Sequence, residues 1–250
     1  MSKPKILFYD IETAPVLALI WRPGYNMSVN HDQLLDGEKN DIICIGYRWA
    51  HQKRAKCLVW DNKKQCSEKM IQEFTKIVEQ ADVVIAHNGD RFDLKHINTQ
   101  RLLHDQTPIA WPTSEDTLKM VKKHFNFPAN NLDYLAKVLL GSKKNPMSWA
   151  DWVNIKLKKK GHEKNLKKMV DYCKKDVDLL CEVWEKIAPY CEVKVSRSLI
   201  VNNNREGCPS CGSIHSHKHD KITLKSGKYQ RYKCQDCGHV WRYHKKLKDD

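Results

Sequence analysis

Long apolar runs are missing from this chain. The longest, residues 14–21, has eight residues and contains Pro15, well short of the ~20 that span a bilayer. Lys3 and Lys5 precede the apolar ILFY, but Asp10 and Glu12 interrupt that apolar stretch, so no secretory signal is expected. No basic helix with a broad apolar face stands out, which removes the membrane-surface class. No segment repeats, which removes solenoids and arrays. What remains is a soluble, globular, cytoplasmic protein with 41% hydrophobic and 30% charged residues. Its length suits one medium domain plus a small appendage.

Acidic residues are the scarcer charge. Lys and Arg number 44 against 30 Asp and Glu, a formal charge of +14. The excess is uneven: residues 1–200 carry 33 basic against 25 acidic side chains, and residues 201–250 carry 11 against 5. A basic tail with interleaved aromatics points to a polyanionic partner, nucleic acid rather than lipid. Ten cysteines are many for disulfides in a reducing compartment. Four form CxxC pairs near the end. Cys44, Cys57, Cys66, Cys173, Cys181 and Cys191 share no spacing and read as ordinary thiols of core or surface.

KILFYDIE is short and apolar, a buried strand ending at Asp10. Residues 13–40, with Pro15, Pro23, Gly24 and Gly37, read as an excursion or long loop. DIICIGYRWA and AKCLVWD read as two more strands, in a meander with the first. Residues 67–80 place Met70, Ile71, Phe74, Ile77 and Val78 at helical spacing behind a serine cap. DVVIAH is a strand and 92–104 a helix, which makes an α/β layer pattern. Short helices are expected over 117–125 and 131–140, the second closed by Gly141. Residues 142–168 are polar and lysine-rich, and 169–187 is an amphipathic helix stopped before Pro189. The expected division is 1–195 for the α/β unit, 196–207 for a linker and 208–250 for a second module.

Asp10 and Glu12 stand two apart at a strand end, so both side chains leave one face. Tyr172 and Asp176 are at i and i+4 of a helix and share a face. Asp93 follows AHNGDRF at a helix start. Two unit charges ~4 Å apart repel by about 4 kcal/mol at an effective dielectric near 20. A fold that gathers four carboxylates therefore gathers cations with them, and paired divalent ions are the standard device for cutting a phosphodiester. The phenol beside Asp176 would place an attacking water. Asp116, in SEDTLK, reads as a helix cap outside this set, and His87, His96 and His104 read as structural.

In order and separation these blocks resemble the DnaQ-like (DEDD) 3′–5′ exonucleases, a group within the RNase H-like fold, over residues 4–190. Tyr172, four residues before Asp176, matches the tyrosine subtype; the histidine subtype would need His at 171, where Asp171 stands. HNGDRFD looks like the second motif of the family, with Asn88 and Phe92 in place. LDYLAKVLLGSKK and DYCKKDVDLL are similar to the proofreading domains of family-B DNA polymerases. The resemblance implies an α/β fold, a mixed sheet flanked by helices. It implies that Asp10, Glu12 and Asp176 hold a catalytic Mg²⁺ or Mn²⁺, that Asp10 bridges to a second, and that Asp93 supports it directly or through water. Tyr172 would orient the hydroxide, and Asn88 and Phe92 would shape the pocket for the last nucleotide. The implied reaction releases nucleoside 5′-monophosphates from the 3′ end of DNA, single-stranded by preference. The enzyme would be bacterial or viral, acting alone or beside a replication or repair protein. Trimming of RNA, and a retired fold serving as a zinc-ribbon adaptor, are the alternatives.

Cys208 with Cys211 and Cys234 with Cys237 form two CxxC knuckles with 22 residues between the inner cysteines, each pair followed by glycine. Four thiolates on a closed tetrahedron describe one structural Zn²⁺; disulfides or an iron–sulfur cluster are the other uses of such a set. The segment looks like a zinc ribbon, whose metal supplies most of its folding free energy. His215, His217 and His219 read as a hairpin tip. KYQRYKC and VWRYHKK alternate aromatic and basic residues. Tyr229, Arg231 and Trp241 are candidates for stacking bases and contacting phosphate, or for steadying a small apolar face. Seven lysines at 156–168, with Glu163 the only acid among them, precede the Tyr172 helix. Lys158, Lys159 and Lys160 are candidates for tracking a phosphate backbone; a solvated face is the plainer role.

Overall fold

The computed structural model describes residues 4–22, 24–25, 27–142, 147–192 and 194–247. Lys3, Pro23 and the Lys143 and Lys144 end of the LDYLAKVLLGSKK segment lie outside the described residues, as does the chain beyond 247. β1 (Ile6–Thr13), β2 (Ile42–Trp49) and β3 (Lys56–Val59) form the expected antiparallel meander. β4 (Val83–Ala86) pairs with β1 in parallel and β5 (Thr113–Asp116) with β4 in parallel, giving the order β3-β2-β1-β4-β5. β5 was not expected. Thr-Ser-Glu-Asp has little strand propensity of its own, and pairing along Val83–Ala86 is what forms it.

Leu7, Tyr9 and Ile11 of β1 pack with Met70, Phe74 and Ile97 of α1 (Glu68–Val78) and α2 (Asp93–Leu103) on one side of the sheet. Ile6 and Phe8 point the other way, to Met120, Leu135 and Leu180 of α3 (Thr117–His124), α4 (Leu132–Leu140) and α6 (His162–Ile187), with α5 (Trp149–Lys156) laid against α6. Ser67 occupies the cap position of α1, but its hydroxyl donates to Gln100 Oε1 in α2 (3.0 Å) instead of capping the helix. α6 begins at His162 rather than at 169, because Leu166 and Met169 are buried beneath a lysine-rich outer face. It lies close on β2. A Cβ at Gly46 would stand 2.8 Å from the Cys173 sulfur and 2.9 Å from a Val177 methyl, so only glycine admits the helix here. Arg48 of β2 then pairs with Asp178 of α6 at 2.8 Å. The 13–40 excursion is held down by a Glu38–Lys156 ion pair of 2.9 Å, both side chains largely buried.

The 196–207 connector carries α7 (Arg197–Asn202), whose Arg197 N–H donates to Pro209 O (2.9 Å) and whose Asn202 amide donates to Gly212 O (2.6 Å). β6 (Ser216–Leu224), β7 (Gly227–Cys234) and β8 (Val240–Lys246) make a separate antiparallel sheet. His217 and His219 lie within β6 and the turn falls at Leu224–Gly227, so the expected histidine tip is instead a strand. Among the described residues no helix is long and apolar enough to cross a membrane.

Candidate active site

Asp10 pairs with Gly46 and Glu12 with Cys44 in the β1–β2 register, so both acids leave the sheet on the side where α6 lies. α6 brings Asp176 to them: one carboxylate oxygen from each of Asp10, Glu12 and Asp176 lies within 4.8 Å of the other two. Asp176 is buried and the other two are half-buried. Tyr172 sits one turn earlier on the same helix, half-buried. The Cys173 thiol donates to the Asp10 carbonyl at 3.6 Å and ties α6 to β1 at this level. Three hard oxygen donors that repel one another fit Mg²⁺ or Mn²⁺.

Asp93 stands beside this group rather than within it. It is 2% exposed, at the start of α2, and its Oδ1 accepts the Ile11 N–H at 3.1 Å. Burial pushes its carboxyl up to about 7, with the Asp116 charge adding to the rise and the N–H bonds opposing it. The turn that delivers it rests on Asn88 at φ +67, a left-handed conformation that Asn tolerates. The Asp116 carboxylate accepts the Asn88 N–H and the Leu118 N–H, both at 2.9 Å, so the expected cap of α3 also holds this turn.

The raised pKa has a consequence for stability. The unfolded carboxyl, near 3.8, loses its proton before the folded one does. The contribution of Asp93 to stability therefore falls as pH rises from about 4 to about 7 and is level above that. Asp93→Asn keeps an acceptor for Ile11 and removes the buried charge. It should be about 2–4 kcal/mol more stable than the parent at pH 8, with the gain gone below about pH 4. Urea melts at the two pH values check this; equal stability at pH 8 would mean a well-solvated carboxylate.

An open, mainly apolar cleft of about 670 Å³ is lined in part by residues next in the chain to Glu12 and Asp93. Thr13, Pro15 and Val16 form one wall, Phe92 and His96 another, and Trp149 and Trp152 of α5 a third. Thr13 follows Glu12 and Phe92 precedes Asp93 in the chain, while none of the four acids is itself in the lining. The Phe92 ring, edge-on to His96 at 4.4 Å, is 40% exposed and Trp149 is 71% exposed. The two tryptophans were missed by sequence reasoning. Their i, i+3 spacing was the available signal, masked by the lysines around them.

The profile of the RNase H superfamily matches residues 32–188, well over half of the chain, including Asp93, Tyr172 and Asp176. The chain belongs to the RNase H superfamily. No curated protein matches its sequence. Membership, together with the mixed five-stranded sheet, supports a metal-dependent nuclease that binds nucleic acid.

In this RNase H superfamily chain a second pocket, of about 410 Å³, is lined by Tyr172, Asp171, Lys164, Lys167, Lys168 and Lys175. Lys158, Lys159 and Lys160 lie between α5 and α6, and the Lys158 ammonium donates to Lys63 O at 2.7 Å. The lysines that share a pocket with Tyr172 are thus those of α6 itself.

At the C-terminal end the sulfurs of Cys208, Cys211, Cys234 and Cys237 lie within 4.8 Å of one another. N–H groups of Ser210 and Cys211 are directed at Cys208, and those of Asp236 and Cys237 at Cys234. Gly212 (φ +86) and Gly238 (φ +73) supply the left-handed residue that each knuckle requires. The donor set fits one tetrahedral Zn²⁺. On the adjoining sheet Tyr229 is buried under the Arg242 guanidinium, 4.4 Å from its ring centre, and Arg231 pairs with both oxygens of Asp220. Trp241 belongs to a half-buried aromatic ladder: it stacks on Tyr232 (6.1 Å) and His239 (6.3 Å), and Tyr232 meets Tyr243 at 5.6 Å.

Three cysteines expected to be scattered are also brought together. The sulfurs of Cys44, Cys57 and Cys173 lie within 4.8 Å of one another. The β2–β3 register sets Cys57 opposite Gly46, two residues along from Cys44, and bare Gly46 lets Cys173 in above them. Hydrogen bonds from Cys173 and Cys44 hold the Cys57 thiol well below its usual range.

Proposed function

We infer that this chain is a metal-dependent 3′–5′ exonuclease that removes nucleoside 5′-monophosphates from single-stranded DNA ends. The observation that carries the reading is the convergence of Asp10, Glu12 and Asp176; beside it stands an apolar cleft whose lining includes Thr13 and Phe92, next in the chain to Glu12 and Asp93. These three would hold a divalent cation, Mg²⁺ or Mn²⁺, with Asp10 shared with a second and Asp93 in support. Such ions, when bound, supply a water of lowered pKa and neutralise charge on the phosphoryl oxygens. Tyr172 orients the attacking water through its phenol. The terminal base enters the cleft, where Phe92, Trp149 and Trp152 offer ring faces; a slot of this kind takes a base that has left its partner strand. Lys164, Lys167, Lys168 and Lys175 follow the phosphates as point charges that read no sequence.

Residues 1–195 form the catalytic unit in this reading, and 208–250 a zinc-held ribbon joined to it through 196–207. The ladder of Tyr232, Trp241, Tyr243 and His239 lies on a basic tail and suits stacking along a single strand. Tyr229 and Arg231, engaged inside the sheet, hold that face in shape.

Incubation with 5′-labelled single-stranded DNA and RNA of one sequence, with Mg²⁺ or Mn²⁺ and then with chelator, tests the reading. A DNA ladder shortening from the 3′ end supports it. Faster RNA shortening would reassign the substrate, internal cuts would make the chain an endonuclease, and retained binding without cleavage would make it an adaptor. Tyr172→Phe, which keeps the ring packing, should lower kcat about 10–100-fold with KM little changed; an unchanged kcat would remove the phenol from the chemistry.

A further inference from the structure

We propose that Cys44, Cys57 and Cys173 form a three-thiolate site for a soft d¹⁰ metal cation, separate from both the carboxylate group and the C-terminal cysteines. The three residues come from β2, β3 and α6, so a rigid framework and not a flexible loop sets their spacing. Their sulfurs already lie within 4.8 Å of one another. Three sulfurs bound in a plane at ~2.3 Å from an ion stand about 4.0 Å apart, so closure requires less than about 1 Å of movement. Single buried cysteines are common as small apolar residues. Three that turn their sulfurs toward a common point, over a glycine that leaves the room, are a different arrangement.

The donors set the class of ion. No described His, Asp or Glu completes this group, so hard cations such as Mg²⁺ and Ca²⁺ have no partner here, whereas thiolate selects Cu(I), Zn²⁺ and Cd²⁺. Cys44 and Cys173 are fully buried and Cys57 is half-buried on the edge strand β3, which gives access from one side. An ion in this place would tie α6 to β2 and β3 beside the acid group. Cys173 follows Tyr172 and touches the Asp10 carbonyl, and Cys44 is paired with Glu12.

The full chain, kept reduced and with its C-terminal cysteines loaded, is titrated with Cd²⁺ while thiolate-to-metal charge-transfer absorption is followed. A parallel titration uses Cu(I) against a competing chelator and distinguishes the monovalent from the divalent ion. The parent should bind one thiolate-held ion beyond the C-terminal one, and Cys57→Ser should lose it. Cys66→Ser, in the separate Cys66, Glu68 and His104 group, should keep it. Without any substitution, Cd²⁺ should slow alkylation of Cys57 at least about ten-fold, read by mass spectrometry. Saturation at the C-terminal ion alone, loss of the extra ion in Cys66→Ser instead, or alkylation of Cys57 at the same rate with and without metal would overturn the proposal.

Discussion

Asp176→Asn should leave the protein folded, with single-stranded DNA bound within a few-fold of the parent affinity, and lower hydrolysis at least about a thousand-fold. Asparagine has the shape of aspartate, so the packing of α6 on β1 and β2 is retained. What changes is charge: one of three carboxylates whose oxygens lie within 4.8 Å of one another becomes neutral. Without cations the substitution relieves repulsion and should raise Tm. With Mg²⁺ the order reverses, because an ion that binds only the folded parent stabilises only the parent. A purely structural aspartate would show the opposite pattern, with lost stability and little change in turnover. Melting curves with and without Mg²⁺, beside the labelled-strand assay, separate the two. Turnover near that of the parent would remove Asp10, Glu12 and Asp176 as the reactive centre.

The same acids show how far the sequence could be read. Asp10 and Glu12 were placed on one face by strand periodicity, and Tyr172 and Asp176 on one face by helical periodicity. Local rules suffice for those two pairs, but not for the approach of α6 to β1, which depends on Gly46, a residue with no side chain to signal its role. The central meander and α1 declared themselves through apolar spacing. β5 did not, since its strand exists only through its neighbour. The start of α6 was obscured because lysines on its outer face outnumber Leu166 and Met169 beneath. Composition also hid Trp149 and Trp152, which sit in the same lysine-rich stretch and line the cleft. The thiol cluster was out of reach for a different reason. Cys44, Cys57 and Cys173 are neighbours only through a register and a helix crossing, and neither leaves a spacing to read.

Breaking up the four-thiol group at the C-terminal end should melt β6–β8 and spare β1–β5. Little else holds the second sheet: its described residues from 208 onward bury only Cys208, Ser210, Gly212, Tyr229 and Cys234. A structural zinc contributes an apparent ~10–16 kcal/mol in such small units, more than that apolar contact can replace. Double substitution Cys211→Ser, Cys237→Ser is the cleaner way to remove it, because a chelator would also strip the carboxylate site. Hydrogen exchange read by mass spectrometry should then show amides of 208–247 unprotected and those of β1–β5 unchanged. The boundary should fall at α7. α7 loses its Pro209 and Gly212 acceptors and frays when the knuckle goes, while Arg197 of its first turn lies over Trp184 at 5.0 Å. Trp184 itself stays, held edge-on against Phe8 at 5.6 Å in the first core. For activity the expected result is a raised KM and a shallower dependence of binding on salt, with kcat retained, since the ribbon would supply stacking and charge and no reacting group. Protection retained in the double variant would show the four cysteines to be packing groups. Loss of kcat with β1–β5 still protected would show that the ribbon reaches into the reactive centre, and the two units would then have to be treated as one.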